Sequence, residues 1–185
     1  MEPGDIVYQG KTSTGTPLVI RYPQSDDLDD LLSYINTLSK EKTFIRFQGE
    51  QLTLSEEKKY LDIMLDKLQK QEEVHFLAYS DNKLIGSAGI KLKDKVEKHI
   101  GEFGISIKRY YRSQGIGSFL TRQVLKEAEK NLPDLKIVTL SVYSNNPIAK
   151  AMYEKFGFRE YGKLPKGILH RNKFVDHIFM YKPVR

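Results

Sequence analysis

Two periods of apolar residues run along the chain and divide it into strands and helices. Between Ile100 and Ile107, Phe103, Ile105 and Ile107 alternate with Glu102, Gly104 and Ser106, the two-residue period of a pleated strand. Val74–Tyr79 and Leu84–Leu92 read as two further strands joined by a polar turn at Asp81-Asn82. These three strands in sequence predict an antiparallel meander. Near the start, Ile6–Gln9 and Pro17–Tyr22 predict a pair of strands around a Thr/Ser/Gly turn over 12–16.

Helical spacing appears four times. Leu28, Leu31, Leu32 and Ile35 form a stripe that Ser25 or Asp26 can cap. Thr53 with Glu56 three residues later is a capping box, and it opens a helix carrying Leu61, Met64, Leu65 and Leu68 on one face. Between these two, 39–52 has no clear period and predicts an ordered loop or short helix. Ile116 to Asn131 places Leu120, Val124 and Ala128 inward, and Pro133 ends it. The β-branched run Lys136–Tyr143 follows, and a helical crossover predicts that it lies parallel to the strand before that helix. Asn146-Pro147 opens the last helix, with Ala149, Met152, Tyr153 and Phe156 on one side and Gly157 at its C-terminal cap. Arg159–Leu164 and Val175–Tyr181 predict two final strands around a loop. No repeat, low-complexity tract or linker interrupts this order, so 1–185 reads as one α/β domain.

Composition narrows the chemistry. The chain has 185 residues and no cysteine, which excludes a disulfide scaffold, a cysteine metal site and an acyl-cysteine intermediate. A formal net charge of +6 favours an anionic ligand. No apolar run approaches the roughly 20 residues of a membrane helix. The acidic start, Met-Glu-Pro-Gly-Asp, does not read as a signal peptide, so the expected setting is cytoplasmic. No zinc-finger spacing or aromatic-and-basic recognition strand accompanies the positive charge, which argues against a nucleic-acid module. His170, Asp176 and His177 match no familiar metal-ligand spacing, so no metal is expected.

After the strand ending at Ile107 comes a loop with Lys108, Arg109, Arg112, Gly115 and Gly117, and then a helix. Strand, glycine loop and helix N-terminus in that order make a phosphate cradle, because small residues let the backbone approach and free N–H groups point outward. Arg112-x-x-Gly115-x-Gly117 in this setting resembles the acetyl-CoA pyrophosphate motif of the GNAT N-acetyltransferase superfamily. The segment Leu140 to Phe158, with Asn146, Ala149, Tyr153 and Gly157-Phe158, resembles the second part of that family's pattern. The resemblance runs from about Thr16 to Tyr181 and leaves the strand near residues 5–11 outside the common core.

The resemblance implies a mixed, mostly antiparallel sheet with a central split, flanked by about four helices (α/β, or α+β by some schemes), with acetyl-CoA lying in the split. Carried over, Ile105, Ser106 and Ile107 pair with the pantetheine arm as an added strand does. Arg112, Ser113, Gln114, Gly115, Ile116, Gly117 and Ser118 hold the pyrophosphate, and Asn146 contacts the pantetheine. The alternative role of Asn146 is the cap of its helix. Tyr153 matches the family's general acid, which protonates the leaving thiolate; without the motif it reads as a core residue. Glu102 is the candidate base, with Tyr143 and His170 behind it; His75 and His99 read as structural.

The implied activity is acetyl transfer from acetyl-CoA to a primary amine of a small molecule or peptide, by direct attack. A non-catalytic acyl-CoA sensor is the alternative, and a homodimer is left open. The acceptor is expected between the loop over 40–52, with Phe44, Arg46 and Phe47, and the loop over 163–173, with Lys166, His170, Arg171 and Lys173. That positive charge favours an acceptor bearing a carboxylate or phosphate.

Overall fold

A computed structural model describes residues 1–12 and 14–184; Ser13, in the predicted first turn, lies outside the described residues. The strands are β1 (Ile6–Lys11), β2 (Pro17–Arg21), β3 (Glu73–Ser80), β4 (Lys83–Leu92), β5 (Ile100–Ile107), β6 (Ile137–Tyr143), β7 (Arg159–His170) and β8 (Lys173–Pro183). The helices are α1 (Leu28–Lys40), α2 (Leu54–Gln69), α3 (Ile116–Asn131) and α4 (Pro147–Lys155). All eight strands form one sheet in the order β1-β2-β3-β4-β5-β6-β8-β7.

The meander β3-β4-β5 is antiparallel throughout. Its first turn uses Asp81 and Asn82, both at positive φ (47° and 59°), the geometry that matches the twist of a two-residue hairpin. β5 and β6 are parallel, as the helical crossover requires, but they pair only from Ile100–Ile137 to Glu102–Thr139. Beyond Glu102 the two strands diverge, and the sheet splits there.

β3 is buried along its whole length. Val74, Phe76 and Ala78 join Leu120, Val124 and Ala128 of α3 in one core cluster. Leu77 and Tyr79 face the other way and pack with Leu31, Tyr34 and Leu38 of α1 and Leu61 of α2. The buried stripe of α1 is therefore Leu31, Tyr34 and Leu38; Leu32 and Ile35 are half-buried.

Capping differs at one place from the sequence expectation. A short 3-10 turn over Ser25–Asp27 precedes α1, so its cap is Asp27, not Ser25 or Asp26. The Asp27 carboxylate is committed to Arg21 and to the Tyr79 hydroxyl, 3.0 Å away, which fixes the start of α1 on the sheet. Thr53 and Glu56 form the predicted capping box. The last two strands are longer than predicted. Most of the expected loop over 163–173 is strand, and the reversal is a tight turn at Arg171 and Asn172, both at positive φ.

Candidate functional site

Beyond Glu102, β5 has a partner on one side only. The Lys108 N–H donates to the Ile85 carbonyl of β4 at 2.8 Å. Backbone groups alternate between the two edges of a strand, so the backbone of Ser106 turns to β4, while Phe103, Ile105 and Ile107 turn to the split. The Ile107 carbonyl already accepts from Arg112 Nε at 2.8 Å. The Ser106 carbonyl and hydroxyl are held by the Tyr34 hydroxyl at 2.8 and 2.9 Å.

At the end of β5 the chain turns through Arg109–Tyr111 into the glycine loop. Ser113 and Gly115 both have positive φ (62° and 79°), which curls the loop so that its amides point outward. From Ser113 to Ser118 no backbone N–H has an acceptor among the described residues. A Cβ placed on Gly117 would make only ordinary contacts, with Met152 Sδ at 3.7 Å and Ile105 Cδ1 at 4.0 Å. The fold itself leaves this position open, as an approaching anion needs. Arg112 does not point at the loop's concave side. Its guanidinium is tied to Glu41 at the end of α1 and to Ile107, so it braces the loop. Gln114 accepts from Thr16 at 2.8 Å and donates to the Tyr110 carbonyl, which fastens the N-terminal hairpin to the loop.

α4 borders the split from the β6 side. Asn146 caps it, accepting from the Ala149 N–H at 3.3 Å. Tyr153 meets Phe103 of β5 edge to face, with ring centres 6.0 Å apart. The Tyr153 ring is buried, but its hydroxyl has no hydrogen-bond partner among the described residues and lines a cavity. Burial pushes its pKa up to about 12, so the phenol keeps its proton at neutral pH.

That cavity has a volume of about 800 Å³ and opens on the α1/α2 face of the sheet. Phe44, Ile45, Tyr60, Ile63, Ile168 and Leu169 supply apolar walls. Its floor is a grid of residues that strand register puts on one face: Glu73 and His75 of β3, Ser87, Gly89 and Lys91 of β4, and Glu102, Gly104 and Ser106 of β5. A Cβ on Gly104 would meet nothing within 4 Å, so this glycine keeps the floor open. Glu102 sits at the outer end, exposed and across from Lys91.

The other base candidates have structural duties. The Tyr143 hydroxyl donates to the Ile45 carbonyl at 3.0 Å. His170 is buried between the Lys42 carbonyl (3.1 Å) and the Asn145 amide (3.0 Å). Both hold the loop over 41–53 in place. The expected cationic wall is also relocated. From the β7–β8 hairpin, Gly167, Ile168, Leu169 and His177 line the cavity, whereas Lys166, Arg171 and Lys173 do not, and Arg171 donates to the Lys42 carbonyl. The longer strands put Arg171 and Lys173 at the tip of the hairpin, while Lys166 sits in the register shift of β7, its N–H donating to Asp176.

A free strand edge, a crest of unpaired amides and an unpartnered phenol thus open on one split. The Acetyltransferase (GNAT) family model matches residues 39–158. The chain belongs to this GNAT acetyltransferase family. A GNAT-family acetyltransferase from Streptococcus pneumoniae has 27% sequence identity and a TM-score of 0.82, covering 91% of this chain and 99% of that one. The L-amino acid N-acetyltransferase AaaT of Escherichia coli (strain K12) is 26% identical over 105 residues, which span 56% of this chain and 64% of that relative. The fold is also shared with yncA from Salmonella typhimurium, solved with acetyl-CoA, at 13% identity and a TM-score of 0.77, covering 91% and 94% of the two chains.

Among the described residues no helix is long and apolar enough to cross a membrane, and no three His, Asp or Glu side chains cluster as a metal site needs. The sequence pattern assigned His75 a structural reading and did not single out Glu73. The available signal was their i, i+2 spacing on a strand, which places both side chains on one face.

Proposed function

We propose that the protein transfers the acetyl group of acetyl-CoA to the primary amine of an amino acid or a close derivative. The observation that carries this is the split: β5 and β6 pair over three residues only and leave an edge, an amide crest and Tyr153 facing one opening. The backbone of Ile105 offers the strand edge to the pantetheine amides. The amides of Ser113–Ser118, at the positive end of α3, receive the pyrophosphate. Asn146 caps α4 with its Oδ1 and keeps its amide N–H groups for the pantetheine. Acetyl-CoA brings an activated thioester; the chain's part is to orient the amine, remove its proton and protonate the sulfur.

Tyr153 is the proton donor. Tyr153 lines the cavity and packs on Phe103 of β5, its hydroxyl has no partner among the described residues, and it stays protonated until the pH rises through about 12. Glu102, the base candidate from the sequence, stands on the cavity floor open to water, beside Lys91. Apolar walls with Arg46 and Lys91 among the lining residues suit an amine that carries an apolar side chain and a carboxylate. The name of the Escherichia coli relative points the same way.

The test is the rate of CoA thiol release with acetyl-CoA and a panel of leucine, methionine, phenylalanine, an alanine-initiated peptide and spermidine. Preference for an apolar amino acid is expected. Preference for spermidine overturns the acceptor class, and tight acetyl-CoA binding without turnover on any amine makes the protein a sensor instead of an enzyme.

A further inference from the structure

β3 is the most enclosed strand of the sheet, yet it carries two ionisable side chains on its cavity face. Glu73 and His75 are only 5% and 7% exposed. A buried carboxylate and imidazole are costly unless they are paired. Here they pair with each other, and the chain of contacts continues. His75 Nδ1 lies 3.1 Å from Glu73 Oε1, and His75 Nε2 lies 2.8 Å from Ser87 Oγ. Gly89 makes the space for this ring, since a Cβ there would come within 2.5 Å of His75 Nδ1.

The polarity of the chain follows from its ends. A carboxylate only accepts, so the ring proton belongs on Nδ1, facing Glu73. Nε2 is then the acceptor, and the Ser87 hydroxyl donates to it. From Leu84 to Ile90 every residue of β4 is buried except Ser87, which is half-buried and lines the cavity. In register it sits beside Ser106, on the strand that borders the split. The row therefore runs from an enclosed carboxylate, through an imidazole, to one oxygen open to the acceptor.

We propose that Glu73, His75 and Ser87 form the proton-withdrawing relay of the acetyl transfer, with Ser87 Oγ as the atom that receives a proton from the acceptor ammonium. This rests on the acetyltransferase reading above. The ammonium gives a proton to Ser87 Oγ as the Ser87 proton passes to His75 Nε2, and Glu73 stabilises the imidazolium. The freed amine attacks the thioester carbonyl; a C–N bond forms and the C–S bond breaks. Tyr153 protonates the sulfur and is itself restored by the proton that the new amide nitrogen loses. His75 releases its proton to water. In sum, ammonium and thioester give amide, thiol and one proton. Ser87 and His75 are catalytic residues in this scheme, and Glu73 is a positioning residue. Lys91 from β4, Glu102 from β5 and Tyr60 from α2 line the same cavity as the row.

The experiment measures kcat/KM for methionine against pH in the full-length protein, for wild type, Ser87→Ala, His75→Gln, Glu73→Gln and Glu102→Gln. Calorimetric acetyl-CoA binding serves as the check on folding. A lost base matters most where the amine is protonated. Ser87→Ala and His75→Gln should lose roughly 100-fold at pH 7, and the loss should shrink to a few-fold near pH 10, where free amine is abundant. Acetyl-CoA binding should be retained. Ser87→Ala removes a single half-buried oxygen, so it reports even if the buried His75→Gln fails to fold. An equal loss at every pH, no loss, or a pH-dependent loss confined to Glu102→Gln overturns the relay while leaving the acetyltransferase reading intact. A wild-type protein that acetylates no amine overturns both.

Discussion

Single atoms decide the chemistry of the site, and two residues show how. Tyr153 differs from phenylalanine by one oxygen that no described residue engages. Tyr153→Phe should therefore fold normally and bind acetyl-CoA normally, while thiol release at saturating substrate falls roughly 100-fold. Because burial holds this phenol near 12, wild-type turnover should show no alkaline loss from this group below that pH. Gly104 is the converse case, an absence that matters. A side chain there meets open cavity and suits a strand, so Gly104→Val should keep the fold. It should raise the acceptor KM roughly 10-fold, the scale of a few methylenes in a pocket, and leave acetyl-CoA affinity nearly unchanged. Steady-state kinetics with methionine measures both effects.

At the scale of elements, the junction of β5 and α3 is where stability and binding pull apart. Gly115 needs its left-handed backbone, and any other residue there is strained. Gly117 does not: it lies in the first turn of α3 with room for a methyl group. Gly117→Ala should raise stability by up to about 1 kcal/mol through helix propensity. In the proposed function the same methyl stands where the pyrophosphate approaches, so acetyl-CoA affinity should fall. Thermal melts and calorimetry on one sample would show the two opposite signs; a gain or loss in both together contradicts this account. Most elements were legible beforehand because their signals are local: the alternation of β5, the Thr53 capping box, the stripe of α3. The lengths of β7 and β8 were not, because Gly162, Pro165 and Gly167 break the strand pattern and only pairing with β8 holds β7 extended through its register shifts.

For the whole molecule, a ligand held in the split as proposed would couple the two halves of the sheet. Binding to the folded state alone stabilises it by about 2.7 kcal/mol at a ligand concentration 100 times Kd. Acetyl-CoA at that level should therefore raise the melting temperature by roughly 5–10 °C for a chain of this size. Hydrogen exchange should show new protection at the amides of 113–118 and along 103–107, with little change in β3, which is buried already. Protection spread evenly over the sheet would place the ligand elsewhere.

The sequence by itself determined the order of elements, the glycine loop after β5 and the motif of α4, because each depends on residues close together in the chain. It also put Glu102, Gly104 and Ser106 on one face, since strand alternation needs no partner to be known. Only the tertiary structure decided what each polar group is free to do. It tied Arg112 to Glu41, committed Tyr143 and His170 to the loop over 41–53, and carried the cations of the last hairpin away from the cavity. It joined Glu73 and His75 to Ser87 on the next strand through hairpin register. The i, i+2 spacing puts Glu73 and His75 on one face, but their burial and their link to Ser87 depend on neighbours distant in sequence.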